Sequence, residues 1–166
     1  KGKKVSGFNL GDEVYASPCL VRNGANAEYV CVDARTASLR PTSIDHIHCG
    51  VLPLVTLTAW EALYERANIH AGQRVLIQGG AGGVGHVGIQ LAKLRGCQVL
   101  CTASRDQSIR LCKELGADLV INYKEEDFVK RVKAETEDNG CDVIFDCVGG
   151  EVFDRSARCV SVNGQI

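Results

Sequence analysis

The pattern of apolar and polar positions is most regular between residues 75 and 96. Val75 to Ile77 form a short apolar run that ends in a cluster of glycines. Beyond the glycines, Val84, Val87 and Leu91 recur at the spacing of one helix face. This stretch therefore predicts a strand, a tight turn and a helix.

Strand-like and helix-like patterns continue to alternate along the rest of the chain. Short apolar runs that alternate with amphipathic segments are typical of a parallel, doubly wound sheet. We therefore predict an α/β fold with a sheet of this type. The predicted strands cover residues 98–103, 119–122 and 142–147 and begin again at 159, and the predicted helices cover residues 106–115 and 127–134.

The first part of the chain lacks this alternation. Residues 11–17 and 27–32 follow strand-like patterns, with a polar loop and no helical pattern between them. A helix is predicted to begin after a cap-like cluster at residues 43–45. We therefore predict two parts, residues 1–45 and residues 46–166.

Composition and charge exclude several classes of protein. The chain has 166 residues, 45% of them hydrophobic, and a formal net charge of −1. This predicts a globular protein with a sizeable core and argues against a broad nucleic-acid-binding surface. The longest apolar run, residues 50–60, is too short to span a bilayer, and the N-terminus is too polar for a signal peptide. We expect neither a nucleic-acid nor a membrane partner.

Cysteine usage indicates a reducing compartment. There are nine cysteines, an odd number, and no two form a C-x-x-C pair. Most lie in apolar strand or helix patterns, where a free cysteine behaves as a small hydrophobic residue. Cys147 is interpreted in this way, as a buried strand residue rather than a reactive thiol. We expect a cytoplasmic location, and a mitochondrial one remains open because a targeting segment would precede residue 1.

The glycine cluster carries the first chemical signal. Gly80, Gly82 and Gly85 satisfy the pattern G-x-G-x-x-G between a predicted strand and a predicted helix. In dinucleotide-binding folds the first glycine makes the turn, the second admits a pyrophosphate and the third lets the helix pack on the strand. Free backbone N–H groups and the helix dipole favour phosphate at such a turn. We therefore predict a dinucleotide site here, which also includes Gly83 and Val84.

Several motifs in order along the chain resemble one enzyme superfamily. They are GDEVYA, AEYV, LPLVTLTAWEAL, AGQRVLIQGGAGGVGHVGIQLAKLRG, KELGADLVINYKEEDF and FDCVGG. Together they are similar to the medium-chain dehydrogenases/reductases, in particular the zinc-free quinone oxidoreductase (zeta-crystallin-like) branch. The resemblance implies the C-terminal part of a GroES-like catalytic domain before residue 45 and a Rossmann domain after it. Parts of both domains would then lie outside this sequence, and members of the family are often homodimers.

The resemblance also makes zinc binding testable in the sequence. Zinc-dependent relatives carry a lobe of closely spaced cysteines after the GDEV strand, whereas Cys19 stands alone here. Those relatives place a catalytic zinc cysteine four residues before the threonine that matches Thr58, and Leu54 occupies that position. Residues 46–49 include two histidines and a cysteine, but their spacing matches no common zinc pattern. We expect no metal site.

The choice of cofactor depends on the end of the second strand of the predicted sheet. NAD-dependent enzymes place an acidic residue there, which binds the ribose hydroxyls and would repel a 2′-phosphate. Ala103 stands at the expected position, and Ser104 and Arg105 offer a hydroxyl and a guanidinium suited to a phosphate. This predicts NADP(H). NAD(H) remains an alternative if Asp106 is the ribose acid rather than a residue in the first turn of the next helix.

Further cofactor contacts follow from the resemblance. It places Tyr123 beside the adenosine 2′-phosphate, with the charge of Lys124 nearby, and Thr58 near the nicotinamide. Tyr123 could instead cap a strand, and Thr58 could be a helix N-terminal hydroxyl. Three residues end the fourth strand of the predicted sheet, at the edge where cofactors lie in open α/β sheets, although a plain turn is an alternative. They are Cys147, Val148 and Gly149.

These observations predict an NADPH-dependent oxidoreductase that transfers hydride to a quinone or an α,β-unsaturated carbonyl. The small-molecule substrate would be positioned for direct transfer, and no residue of this sequence qualifies as its catalytic acid. Two alternatives remain open. One is another oxidoreductase of the superfamily, such as a zinc alcohol dehydrogenase or the enoyl-reductase module of a synthase. The other is a non-enzymatic crystallin-like or RNA-binding protein that keeps the fold.

Overall fold

The computed structural model describes residues 1–19 and 21–166. They form two compact units, Lys1–Leu54 and Val55–Ile166, which are considered separately. The predicted boundary near residue 45, between the GroES-like domain and the Rossmann domain of the whole protein, stays a prediction.

The first unit contains little regular structure before its helix. Strand β1 (Val14–Ala16) pairs antiparallel with strand β2 (Ala37–Leu39). A single 3₁₀ turn, Ala34–Thr36, leads into β2. The predicted strand at residues 27–32 is wrong: the segment has no strand partner among the described residues, and Tyr29 is 91% exposed. An alternating pattern becomes a strand only where a neighbouring strand accepts its backbone hydrogen bonds.

Helix α1 is longer than the apolar run in the sequence suggests. It covers His46–Trp60, as predicted in position, and continues as a π-helical segment, Glu61–Arg66. The combined helix has 21 residues, and 22% of its most apolar stretch is buried. By length and composition alone this helix could cross a bilayer, which corrects the length inferred from residues 50–60. Helices in the cores of soluble proteins pass the same test.

The second unit is built on a five-stranded parallel sheet, which confirms the predicted fold class. The strand order is β5-β4-β3-β6-β7, and all four pairings are parallel. The strands are β3 (Arg74–Ile77), β4 (Gln98–Ala103), β5 (Leu119–Asn122), β6 (Cys141–Phe145) and β7 (Val160–Gln165). The helices are α2 (Gly85–Leu94), α3 (Asp106–Glu114), α4 (Phe128–Glu135) and α5 (Glu151–Ser156).

Both faces of the central strands are buried. Val75 and Ile77 pack in one apolar cluster with residues of α2, whereas Leu76 points to a second cluster that includes Phe128 and Val132 of α4. Strands that are covered on two faces read as continuous apolar runs, which is why β3 and β4 were recognisable in the sequence. The central strands are therefore accessible to a ligand only at their ends.

The cysteines also follow the expected pattern in large part. All nine are free, and six are buried. The buried ones are Cys49, Cys97, Cys101, Cys112, Cys141 and Cys159. Cys147 is an exception: β6 ends at Phe145, so Cys147 lies in the following turn and is exposed. The interpretation of Cys147 as a buried strand residue was wrong because the alternation of apolar and polar residues continues past Phe145, where the strand itself ends.

Candidate functional site

The glycine turn joins the end of β3 to the start of α2 and is tied to the end of β4. The N–H of Gly79 donates to Thr102 Oγ1 at 2.9 Å, and the N–H of Gly80 donates to the Thr102 carbonyl oxygen at 2.9 Å. The N–H of Gly82 donates back to the Gly79 carbonyl at 2.8 Å. The turn is therefore fixed to the neighbouring strand by two hydrogen bonds to one residue.

The glycines of this turn serve different purposes. Gly79, with φ 67°, adopts the left-handed conformation, so the turn is made one residue before the first glycine of the pattern. A Cβ at Gly80 would lie 2.9 Å from Cys101 Sγ, and a Cβ at Gly85 would lie 2.3 Å from the Gly79 carbonyl oxygen. Gly80 thus allows strand and helix to pack, and Gly85 allows the turn to close. A Cβ at the exposed Gly82 would lie 3.1 Å from that same oxygen.

The start of α2 offers hydrogen-bond donors. Val84 is the N-cap residue of α2, and its side chain makes no capping hydrogen bond. The backbone N–H groups of Gly83 and Val84 donate to no acceptor in residues 1–19 and 21–166. Unpaired amides at the positive end of a helix dipole form a site for an anion.

An open groove of about 330 Å³ extends from this turn to the ends of β4 and β5. Gly82 lines its inner part, and Ser104, Arg105, Tyr123 and Lys124 line its outer part. Ser104 Oγ donates to Tyr123 Oη at 3.1 Å. The structure therefore brings three predicted contact residues, Ser104, Arg105 and Tyr123, and the nearby charge of Lys124 together with the glycine turn.

The charges of the outer groove are positive. Arg105 and Lys124 are exposed, and no carboxylate occurs among the described residues that line the groove. Asp106 is the first residue of α3, where its charge complements the helix dipole, and it does not line the groove. Ala103 is the last residue of β4 and is buried.

A second, narrower cavity of about 190 Å³ adjoins the groove and shares Gly79, Thr102 and Tyr123 with it. Its remaining lining residues are Gln78, Phe128, Val148, Val152 and Arg155. The Arg155 guanidinium lies 4.6 Å from the centre of the Phe128 ring, and it forms an ion pair with Asp127 at 3.0 Å. The cavity is thus mainly apolar, with a cation fixed at its rim.

Sequence reasoning missed most residues of this second cavity. Phe128 was missed because α4 has the pattern of an ordinary amphipathic helix, and Val152 and Arg155 were missed because α5 has only six residues. Gln78 and Thr102 did give one: each is a polar residue in or directly after an otherwise apolar strand, and each is buried. A buried polar residue at a strand end indicates a hydrogen-bonded role.

The loop after β6 is held by one carboxylate. Asp146 Oδ1 accepts hydrogen bonds from the N–H of Val148 at 2.7 Å and of Gly149 at 3.0 Å, and Gly149 has φ 73°. Asp146 Oδ2 is buried without a hydrogen-bond partner among the described residues. Val148 reaches the second cavity, whereas Cys147 does not. Desolvation of the Cys147 thiol and the nearby Asp146 carboxylate raise the pKa of Cys147, which opposes thiolate chemistry there.

Thr58 is not part of either space described above. It lies on α1 and is exposed. Val55, one turn earlier on α1, would lie 3.4 Å from a Cβ at Gly83, so this helix passes close to the glycine turn. The predicted contact of Thr58 with a nicotinamide stays a prediction.

The described residues contain no group of three or more histidine, cysteine, aspartate or glutamate side chains placed to hold a metal ion. His46 Nε2 lies 3.0 Å from Glu13 Oε1, and His48 Nδ1 lies 2.7 Å from Asp45 Oδ2. These two histidines have carboxylate partners rather than a common centre. Whether the whole protein is independent of zinc stays a prediction.

Comparison with known proteins finds dehydrogenases and reductases that are similar to this chain. A family model described as zinc-binding dehydrogenase matches residues 83–166. A 2-methylene-furan-3-one reductase of Solanum lycopersicum is 37% identical over 173 residues, which cover 99% of this chain and 42% of that protein. A quinone oxidoreductase of Rattus norvegicus is 30% identical over 165 residues, which cover 99% of this chain and 50% of that protein.

A solved structure shares the fold as well. It is the quinone oxidoreductase of Escherichia coli complexed with NADPH, with a TM-score of 0.87 and 32% sequence identity. The match covers 98% of this chain and 49% of that chain. The present chain thus spans about half the length of the relatives it matches. These matches, with the glycine turn and the parallel sheet, show that the chain belongs to the zinc-binding dehydrogenase family within the medium-chain dehydrogenases/reductases.

Proposed function

We propose that this chain is the cofactor-binding part of an NADPH-dependent oxidoreductase that reduces a quinone or an α,β-unsaturated carbonyl. The observation that carries the proposal is the groove, which has unpaired amides at one end and Arg105 and Lys124 at the other. Its residues fit NADPH better than NADH, since no carboxylate from the described residues lines it.

The pyrophosphate fits the glycine turn. The free N–H groups of Gly83 and Val84 are donors for its oxygens, and the missing side chain of Gly82 leaves the backbone accessible. Gly80 and Gly85 act indirectly, because they allow the turn to adopt this shape. The glycine pattern thus supports binding through backbone atoms.

The 2′-phosphate of NADPH fits the outer groove. Arg105 can form paired hydrogen bonds to a phosphate, Lys124 adds a second positive charge, and the Ser104 hydroxyl is a further donor. The aromatic and aliphatic walls of the adjoining cavity, Tyr123 and Val148, suit the adenine ring. Two adjoining spaces of different polarity therefore match the two sides of an adenosine 2′-phosphate.

The bound cofactor supplies a hydride, and the residues of this chain bind and orient it. Positioning accounts for much of the rate in such transfers, because the two reacting carbons must be held close and aligned. The names of the tomato and rat relatives favour enones and quinones as acceptors. Zinc independence, a cytoplasmic location and a homodimer belong to this proposal as predictions.

The experiment is a comparison of NADPH and NADH affinities in the wild-type protein and in Arg105→Ala, by fluorescence titration. Arg110→Ala is the matched control, since Arg110 lies on α3, the helix that Arg105 precedes as its N-cap residue, and does not line the groove. We expect NADPH to bind at least tenfold more tightly than NADH. Arg105→Ala should weaken NADPH binding by about 10- to 100-fold and leave NADH nearly unchanged, because charged hydrogen bonds contribute about 1.5–3 kcal/mol.

Equal affinities for NADPH and NADH, or equal effects of Arg105→Ala and Arg110→Ala, would refute the assignment of the 2′-phosphate site. Turnover of NADPH with a simple quinone and a simple enone tests the activity. Tight NADPH binding without reduction of either acceptor would favour the non-enzymatic alternative. Metal analysis of the whole protein completes the set, since one tightly held zinc per chain would contradict zinc independence.

A further inference from the structure

A chain of buried hydrogen bonds lies beneath the glycine turn. The N–H of Gly79 donates to Thr102 Oγ1 at 2.9 Å, and that hydroxyl donates to Gln78 Oε1 at 2.8 Å. Gln78 Nε2 in turn donates to Ser156 Oγ at 3.1 Å. Gln78, Thr102 and Ser156 are 1%, 3% and 0% exposed, so the chain is shielded from water along its whole length.

This concentration of buried polar groups has an energetic cost that a plain apolar core would avoid. Four polar side chains are buried among the described residues, and three of them take part in this series of hydrogen bonds. A buried amide or hydroxyl costs about 1–3 kcal/mol unless it is hydrogen-bonded. Each group here has its partner, so the arrangement fixes one geometry for the atoms it joins.

The chain of hydrogen bonds connects two walls of the second cavity. Gly79 begins the glycine turn on one wall, and Gln78 and Thr102 form the floor. Ser156 is the last residue of α5, the helix that carries Val152 and Arg155 on the opposite wall. The distance between the walls is therefore set by side chains that are almost fully buried.

We propose that Thr102 and Gln78 are positioning residues for the adenosine half of the cofactor. They act through the Gly79 peptide and through α5, and they make no contact with the reacting atoms. This inference rests on the proposed function, because it assigns the adenosine half to the groove and its adjoining cavity. A change of either residue should therefore alter the affinity for the cofactor and not the rate of hydride transfer.

The test compares substitutions of two buried threonines, each made in the whole protein. Thr102→Val keeps the shape of the side chain but removes the acceptor for the Gly79 N–H. Thr136→Val is the matched control: Thr136 is also 3% exposed, accepts the N–H of Gly140 at 2.9 Å and donates to the Val132 carbonyl at 2.8 Å. Thr136 follows α4 and lines neither the groove nor the second cavity.

The readouts are the Kd for adenosine 2′,5′-bisphosphate, the KM for NADPH and the kcat with a saturating quinone. We expect Thr102→Val to raise the Kd and the KM about tenfold and to change kcat less than twofold. Thr102→Ser, which keeps the hydroxyl, should restore both values. Thr136→Val should lower the Tm to a similar extent as Thr102→Val while leaving the Kd unchanged.

Ser156→Ala provides a second variant with a smaller structural change, since it removes only the last link. We expect it to raise the Kd about threefold with kcat unchanged. Equal Kd changes in Thr102→Val and Thr136→Val, or unchanged Kd in both Thr102→Val and Ser156→Ala, would overturn the inference. A wild-type protein that binds neither NADPH nor the bisphosphate would instead overturn the proposed function, and the inference with it.

Discussion

Two glycine-containing turns lie at the same edge of the sheet, after the adjacent strands β3 and β6. Both contain glycine in the left-handed conformation, but the first turn also needs glycine for space. In the first, a Cβ at Gly85 would lie 2.3 Å from a backbone oxygen, so glycine is needed for space. In the second, a Cβ at Gly149 or Gly150 would meet no atom of the described residues within 4 Å. Their φ values of 73° and 58° require glycine for its conformation instead.

The two turns also differ in what holds them. The first is tied to β4 through Thr102, so its shape depends on a neighbouring strand. The second is held by Asp146, which accepts two N–H groups of its own loop. A turn fixed by its surroundings keeps one geometry for a ligand, whereas a turn fixed by its own side chain can change without disturbing the sheet.

The largest effect is expected for Gly85→Ala. Because the added methyl group would meet backbone atoms, which no side-chain rotation can move away, we expect the free energy of unfolding to fall by about 3 kcal/mol. Urea denaturation measures it. The control is Gly50→Ala on α1, where a Cβ meets no described atom within 4 Å and alanine should be neutral or stabilising by up to about 1 kcal/mol. Equal effects at both positions would contradict the role given to space.

An intermediate effect is expected for Gly80→Ala. Its Cβ would lie 2.9 Å from Cys101 Sγ and 3.1 Å from Cys112 Sγ, so we expect a loss of about 2 kcal/mol. Since Cys112 contributes only side-chain atoms, Cys112→Ala combined with Gly80→Ala should recover part of the loss. A double-mutant cycle in urea measures the coupling. Strict additivity of the two changes would show that Gly80 does not owe its presence to the Cys112 thiol.

The smallest effect is expected for Gly149→Ala. There is space for the methyl group, and only the left-handed backbone opposes it, at a cost of about 1–2 kcal/mol. Gly149→Asn should cost less, because asparagine tolerates this conformation better than alanine. Thermal denaturation of both variants checks the order. If alanine and asparagine cost the same, the turn would have adapted its backbone, and the contrast between the two turns would weaken.

The sequence predicted the second unit well because its signals are local. Residues 98–103 and 119–122 coincide with β4 and β5, since an apolar run with a turn at each end has few other interpretations. The end of the second predicted strand indicated Ser104 and Arg105, and the family resemblance indicated Tyr123. All three line one groove, although Arg105 and Tyr123 are 18 positions apart in the sequence. Here the resemblance supplied a contact that periodicity alone could not.

Other features depend on contacts that a local pattern does not contain. The hydrogen bond between Gln78 and Ser156 joins residues 78 positions apart. Helix α5 has six residues, too few for a helical period to be recognised. The strand predicted at residues 27–32 had the right alternation but no partner strand among the described residues. The first feature thus depends on a partner distant in the chain, the second on the length of the element, and the third on whether a partner strand is present.

Tyr123 belongs to both the polar groove and the apolar cavity, and its hydroxyl is bonded to Ser104. In the proposed site, base stacking and recognition of the 2′-phosphate would therefore depend on one aromatic side chain. An attempt to convert the protein from NADPH to NADH by changing Arg105 alone would leave that shared wall in place. If the proposed site is correct, engineering of the cofactor preference of this protein has to treat Tyr123 and Arg105 as a pair.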